Sequence, residues 1–170
     1  MVSVTGPRSG WSQAPFTPGA LRSSTRASVM FTYWGLEAVP VAPDATHAMA
    51  DFPTALSEAF AYRNGYVADE PLSVGAGYWM KFAGAETLSI VGVEILSDTF
   101  DVLAGWNIVG SISRTIPVSE MLPGPGVSIL TPFYRYLNGY TEADSIRPGE
   151  AYWVKTSAAG TVQAGGSAIV

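Results

Sequence analysis

"NGYVADEPLSVGAGYWMK" spans residues 64–81, and "NGYTEADSIRPGEAYWVK" spans residues 138–155. At a single offset of 74, Tyr62, Asn64, Gly65, Tyr66, Gly75, Tyr78, Trp79 and Lys81 recur as Tyr136, Asn138, Gly139, Tyr140, Gly149, Tyr152, Trp153 and Lys155. Eight identities over the twenty positions from Tyr62 to Lys81 mark an internal repeat. Its parts are β hardware. Asn-Gly between aromatic-rich runs is a strong hairpin signal, because both residues accept a positive φ. "YWMK" and "YWVK" read as strands in which alternate side chains face opposite sides.

Outward from this pair, the match extends upstream. "YWGLEAVPV" (33–41) lies over "GWNIVGSIS" (105–113) at an offset of 72, so two residues are gained between the motifs. Each half reads as a strand carrying Trp34 or Trp106, a Pro-containing connection, a short helix (Thr54–Phe60 or Val118–Leu122), the Asn-Gly hairpin, the YWxK strand and a last strand (Thr87–Leu96 or Thr161–Val170). Thr54 and Ser119 suit a helix N-terminus. Residues 1–28 differ: Gly, Pro, Ser and Thr punctuate them with no hydrophobic period, which predicts an extended arm. The predicted fold is therefore mainly β: an arm (1–28), then two tandem, similar, small β-rich lobes (29–97 and 98–170), each with one short helix.

Composition narrows the function. Charged residues are 14% of the 170, low against the roughly 25% of ordinary soluble domains, while aromatic residues reach 12%. The net charge is −5, and the nine basic residues form no cluster, so nothing here reads as a nucleic-acid surface. No apolar run is long enough for a transmembrane helix, and no membrane insertion is expected. Cysteine is absent, which removes disulfides, thiol catalysis and cysteine metal sites. The N-terminus lacks the basic start and apolar core of a signal peptide, which leaves a removed signal or a virion protein that needs none.

Candidate chemistry is sparse. His47 is the single histidine and sits in a connection, so a triad or transition-metal site would have to be built from carboxylates. Asp69 with Glu70, and Glu142 with Asp144, follow the repeated Asn-Gly-Tyr at equivalent places; the DxDxDG spacing of a calcium loop is missing, and a turn-capping role accounts for them. Asp98 and Asp101 form a third loose pair. "PGPG" (123–126) has no Lys-Ser/Thr and no helix after it, so it is a turn and no phosphate loop. No cofactor, metal or catalytic residue is expected.

The aromatic residues carry the remaining signal. Alternation places Tyr78, Met80 and Phe82 inward and Trp79 with Lys81 on the opposite face; Trp153 and Lys155 repeat that arrangement. Trp79 and Trp153 either seal the other side of a thin sheet or form a platform for a partner, with each Lys stem packed over its Trp ring. Candidate contacts to a partner or a glycan are Trp79, Trp153, Tyr66, Tyr140, Lys81, Lys155 and, in the arm, Trp11. Tyr and Trp dominate protein interfaces as rigid amphipathic anchors, and they also stack on sugar rings.

The order "GWN-(I/L)-V", a "YxYxNGY" hairpin and "PGxxYWVK" resembles a repeat module of large surface and secreted proteins of the Bacteroidetes–Chlorobi group, similar to stretches of some phage virion proteins. Residues 105–155 match best. The first copy departs, with Tyr33 and Gly35 in place of the Gly and Asn of "GWN" and Val74 in place of the Pro of "PG". The likeness covers most of 31–165 and none of the arm. It implies a β-rich, non-catalytic module. Together these features predict a structural subunit of a virion, extracellular filament or surface layer. Such a subunit would assemble with copies of itself or neighbouring structural proteins through the arm and the aromatic β surfaces. The alternative is a carbohydrate-binding or adhesion module of a surface protein.

Overall fold

Asn64 and Asn138 take φ values of 58° and 55°, the left-handed conformation that asparagine tolerates, and at both places the chain reverses into a hairpin. The computed structural model describes residues 24–31, 34–39, 41–43, 52–68 and 72–165. The first part of the chain holds β1 (Ser24–Phe31), β2 (Trp34–Ala38), β3 (Val41–Pro43), β4 (Phe60–Tyr62), β5 (Tyr66–Ala68), β6 (Gly77–Lys81) and β7 (Glu86–Glu94). The second holds β8 (Asp98–Val102), β9 (Gly105–Val109), β10 (Ile116–Pro117), β11 (Met121–Pro123), β12 (Tyr134–Tyr136), β13 (Tyr140–Glu142), β14 (Ser145–Ile146), β15 (Tyr152–Thr156) and β16 (Gly160–Ala164). The fold is mainly β, with antiparallel sheets throughout. No helix among the described residues is long and apolar enough to cross a membrane.

The strands form two four-stranded sheets, β2-β6-β4-β5 and β9-β15-β12-β13, and two three-stranded sheets, β1-β7-β3 and β8-β16-β11, with β10 and β14 as a separate pair. Strand alternation sends one face of each four-stranded sheet into its own core. Val109, Tyr152 and Val154 meet Phe100, Val102, Met121, Val162 and Ala164 in one. Ala61, Tyr78, Met80 and Phe82 meet Val39, Phe52, Ala59 and Ile90 in the other. The opposite faces of the two sheets pack on each other. Leu36, Ala38, Ile108, Ala151 and Trp153 are buried there, flanked by Tyr62, Trp79, Tyr134 and Tyr136.

Local bonds recur 74 residues apart. The Ser73 and Arg147 amides donate to the Tyr78 and Tyr152 hydroxyls at 2.7 and 2.9 Å. The Lys81 and Lys155 amides each donate to a hydroxyl, Ser57 and Thr131, at 3.0 Å. The Leu56 and Leu130 amides donate to the Lys81 and Lys155 carbonyls at 2.7 and 2.8 Å. Between the sheets the contacts are reciprocal. The Ala38 amide donates to the Gly149 carbonyl at 2.8 Å, and the Gly110 amide to the Gly75 carbonyl at 3.0 Å. Glu37 bridges Glu150, and Ala76 bridges Val109.

Asn107 explains the "GWN" stretch. Its side-chain oxygen accepts the Leu103 amide at 2.8 Å, and its amide nitrogen donates to the carbonyls of Leu103 and Gly105 and to the Thr156 hydroxyl, at 2.9, 3.0 and 3.2 Å. The buried carboxamide is thus fully engaged and clamps the β8–β9 turn, where Gly105 has φ 99°.

Three expectations meet a different structure. Over residues 54–60 there is no helix: turns, bends and a bridge between Ala55 and Phe82 lead into Phe60, the first residue of β4. Seven residues are a poor helix nucleus, and here the Leu56 amide donates to the Lys81 carbonyl at the end of β6 instead. Over 118–122 only Val118–Glu120 is helical, as one 3-10 turn, because Met121–Pro123 is claimed by pairing with β16. Ser24–Ser28, assigned by pattern to the arm, belong to β1 and pair with Ser89–Val93 of β7. The rest of the arm lies outside the described residues.

The joint between the sheets has no room at Gly110. A Cβ there would stand 2.8 Å from the Ala76 carbonyl oxygen and 2.9 Å from that of Gly75. Gly110→Ala is expected to cost about 1–3 kcal/mol in denaturant unfolding. Gly84→Ala, where nothing lies within 4 Å of the added methyl, should stay within about 0.5 kcal/mol.

Candidate functional site

Beside the packed faces of the two four-stranded sheets lies an open cleft of about 390 Å³ lined by Tyr62, Trp106, Tyr134, Tyr140 and Trp153. Pairing sets this arrangement. In the ladder Trp153 stands opposite Ile108 and Tyr134, and Lys155 opposite Trp106, so Trp106, Trp153 and Tyr134 share the outer face of one sheet. Tyr62 arrives from β4 of the other sheet.

Trp153 forms the floor and is only 9% exposed. Around it the rings meet edge to face: Tyr62 at 4.8 Å and 71°, Trp106 at 6.1 Å and 87°, Tyr66 at 6.5 Å and 83°. Such geometry sets the positive edge of one ring on the negative face of the next, worth about 0.5–1.5 kcal/mol per pair beyond burial. Trp106 also tilts against Tyr134 at 6.3 Å. Trp106 and Tyr140 remain 38% and 56% exposed, so their rings are available at the rim. The indole N–H of Trp153 is buried with no hydrogen-bond partner among the described residues. The Tyr66 hydroxyl is held above its ordinary pKa, first by partial burial and then by the neighbouring Tyr140 and Tyr62.

The contact residues named from the sequence divide. Trp153 and Tyr140 line the cleft, and Tyr66 stands beside it. Trp79 is part of the packing between the sheets, with its ring edge-on to Tyr136 at 4.8 Å and 69°. Lys81 and Lys155 are half-buried strand residues. Trp11, His47, Asp69 and Glu70 lie outside the described residues. Tyr62, Trp106 and Tyr134 were not singled out as contacts, although Tyr62 belongs to the repeated hairpin and Trp106 to "GWN"; their convergence comes from packing between distant strands.

Carboxylates are dispersed. Among the described residues no three His, Cys, Asp or Glu side chains gather as metal ligands. Asp144 accepts the Ser145 hydroxyl at 2.8 Å, which with Arg147 and Arg135 nearby holds its carboxyl below the ordinary value. Glu37 is the exception to exposure. It is 3% exposed, stands opposite Tyr78 in the ladder and takes the place that Val109 takes opposite Tyr152. Burial, then the charge of Glu150, pushes its carboxyl well above the ordinary range. Glu150 itself accepts the Tyr152 hydroxyl at 2.9 Å.

Comparison with protein-family models, curated proteins and solved structures finds no significant match to this chain.

Glu37 makes stability depend on pH. A carboxyl whose folded pKa is raised binds its proton more tightly in the folded state, so stability is full below the unfolded value, about 4.3, and falls as pH rises toward the folded value. Glu37→Gln removes that loss. Thermal melts should show Glu37→Gln gaining several degrees over the parent at neutral pH, with the gap closing toward pH 4. A gap of constant size across this range would assign the effect to something other than titration.

Proposed function

We propose that the chain is a non-enzymatic structural subunit built from two tandem, similar β-rich lobes, and that it works by contact through its aromatic β surfaces in a larger assembly. The observation that carries this reading is the aromatic surface itself. Five Tyr and Trp side chains line one open cleft, and the exposed Tyr66, edge-on to Tyr62 and Trp153, extends the aromatic surface beside it. Exposed aromatic anchors of this kind mark contact surfaces. The lobe reading is supported by the identical strand order of the sheets at matching positions and by the bonds that recur 74 residues apart. The low charge fits a subunit whose surface is covered by neighbours. On this reading the setting is a virion, an extracellular filament or a surface layer, in keeping with the module that the sequence resembles, and the partners are copies of the chain or neighbouring structural proteins. The segment before β1 is proposed to reach a neighbour.

A second reading, a carbohydrate-binding or adhesion module, is favoured by the composition of the cleft, which contains no aliphatic side chain.

Particle mass of the purified chain, by light scattering with negative-stain images of the same sample, tests the first reading. Large regular particles or fibres are expected, and they should disappear when residues 1–23 are removed while the circular dichroism of the sheets persists. A monomer at all concentrations would remove self-assembly from the proposal.

A further inference from the structure

We infer that the cleft of Tyr62, Trp106, Tyr134, Tyr140 and Trp153 is a saccharide site, taking equatorially substituted hexopyranose units such as those of a β-1,4-linked glucan or chitin chain. The inference deepens the second reading above and is separable from assembly. Three observations on the site converge. First, the lining is wholly Trp and Tyr. A groove for an apolar helix or an acyl chain needs aliphatic side chains that adapt to branched or flexible groups. Rigid flat rings instead suit a rigid flat ligand.

Second, every lining residue is apolar on its ring face and polar at one end, an O–H on Tyr or an N–H on Trp. A hexopyranose with equatorial hydroxyls has the complementary design. Its axial C–H bonds lie against an aromatic face, and its hydroxyls stand around the rim as acceptors and donors. The indole N–H of Trp153 is buried and has no acceptor among the described residues, so the hydrogen bonds to the sugar fall to the exposed Trp106 N–H and Tyr140 O–H at the rim.

Third, the lining contains no charged side chain, which disfavours phosphate or carboxylate ligands, and the volume of about 390 Å³ falls within the range of small-molecule sites. The roles then divide by exposure. Trp106 and Tyr140, open at the rim, stack on the sugar; Trp153, held edge-on by Tyr62 and Trp106, is the floor that keeps the cleft from collapsing.

The test titrates the full-length chain with cellotetraose and, separately, with triacetylchitotriose, following tryptophan fluorescence and calorimetric heat. At least one probe should bind in the micromolar to millimolar range. Trp106→Ala and Tyr140→Ala should each weaken it about tenfold, the equivalent of roughly 1.4 kcal/mol; Tyr140→Ala should melt close to the parent, while Trp106→Ala should also lose a few degrees with its ring contacts to Trp153 and Tyr134. Both substitutions remove exposed side chains, and Tyr140→Ala leaves every tryptophan in place as the reporter. Leu130→Ala, an exposed residue outside the cleft, should leave the affinity unchanged. No heat and no fluorescence change with either probe at millimolar concentration would overturn the inference. So would binding that survives both rim substitutions. If saccharides fail while Trp106→Ala and Tyr140→Ala abolish assembly, the cleft is a protein interface, and the inference falls while the structural-subunit reading stands.

Discussion

The structure depends on two reciprocal contacts between a tryptophan of one four-stranded sheet and a tyrosine of the other. Trp153 meets Tyr62, and Trp79 meets Tyr136, each with ring centroids 4.8 Å apart and planes near 70°. Each four-stranded sheet already has a core on one face. Its second face would stand bare in water if the halves separated, presenting Leu36 and Ala38 on one sheet and Ile108, Ala151 and Trp153 on the other. Burying these faces together turns two thin units into a stack of sheets. The ring pairs set the orientation, while the backbone bonds from Ala38 to Gly149 and from Gly110 to Gly75 set the distance.

That joint is also what produces the cleft. Twisted sheets that pack closely along one line diverge away from it. Here Tyr62 and Trp153 belong to both joint and cleft, and Trp106, Tyr134 and Tyr140 carry the aromatic surface outward from them. Trp79 and Trp153 occupy equivalent positions in the sequence yet end differently. Trp79 is spent on packing, while Trp153 packs and also floors the cleft. Both rings pack between the sheets, as the sealing reading has it, while contact with a partner belongs to the proposal made for the cleft.

Legibility followed the range of the interaction. The Asn-Gly hairpins, the YWxK strands and the inward set of Tyr78, Met80 and Phe82 rest on local dihedral preference and strand alternation, and both can be read from neighbours in sequence. Residues 54–60 carry helix-compatible side chains, but the Leu56 amide bonds to the Lys81 carbonyl at the end of β6, twenty-five residues away, and that competitor is invisible in a local pattern. β1 escaped notice for the same reason: Ser24–Ser28 become a strand because β7 offers an edge. The cleft was half legible. Its residues stood out as aromatic, but the convergence of Tyr62 with Trp106 and Tyr134 arises from sheet packing, which no spacing encodes.

The central claim is that the reciprocal ring pairs hold the two sheets as one cooperative unit. A double-mutant cycle on Tyr62 and Trp153, followed by urea unfolding of Tyr62→Ala, Trp153→Ala and the double variant, measures it most directly. The account predicts a single transition in every variant and a favourable coupling energy of about 0.5–1.5 kcal/mol between the two rings. Additive losses with no coupling, or two separate transitions in the parent chain, would contradict it.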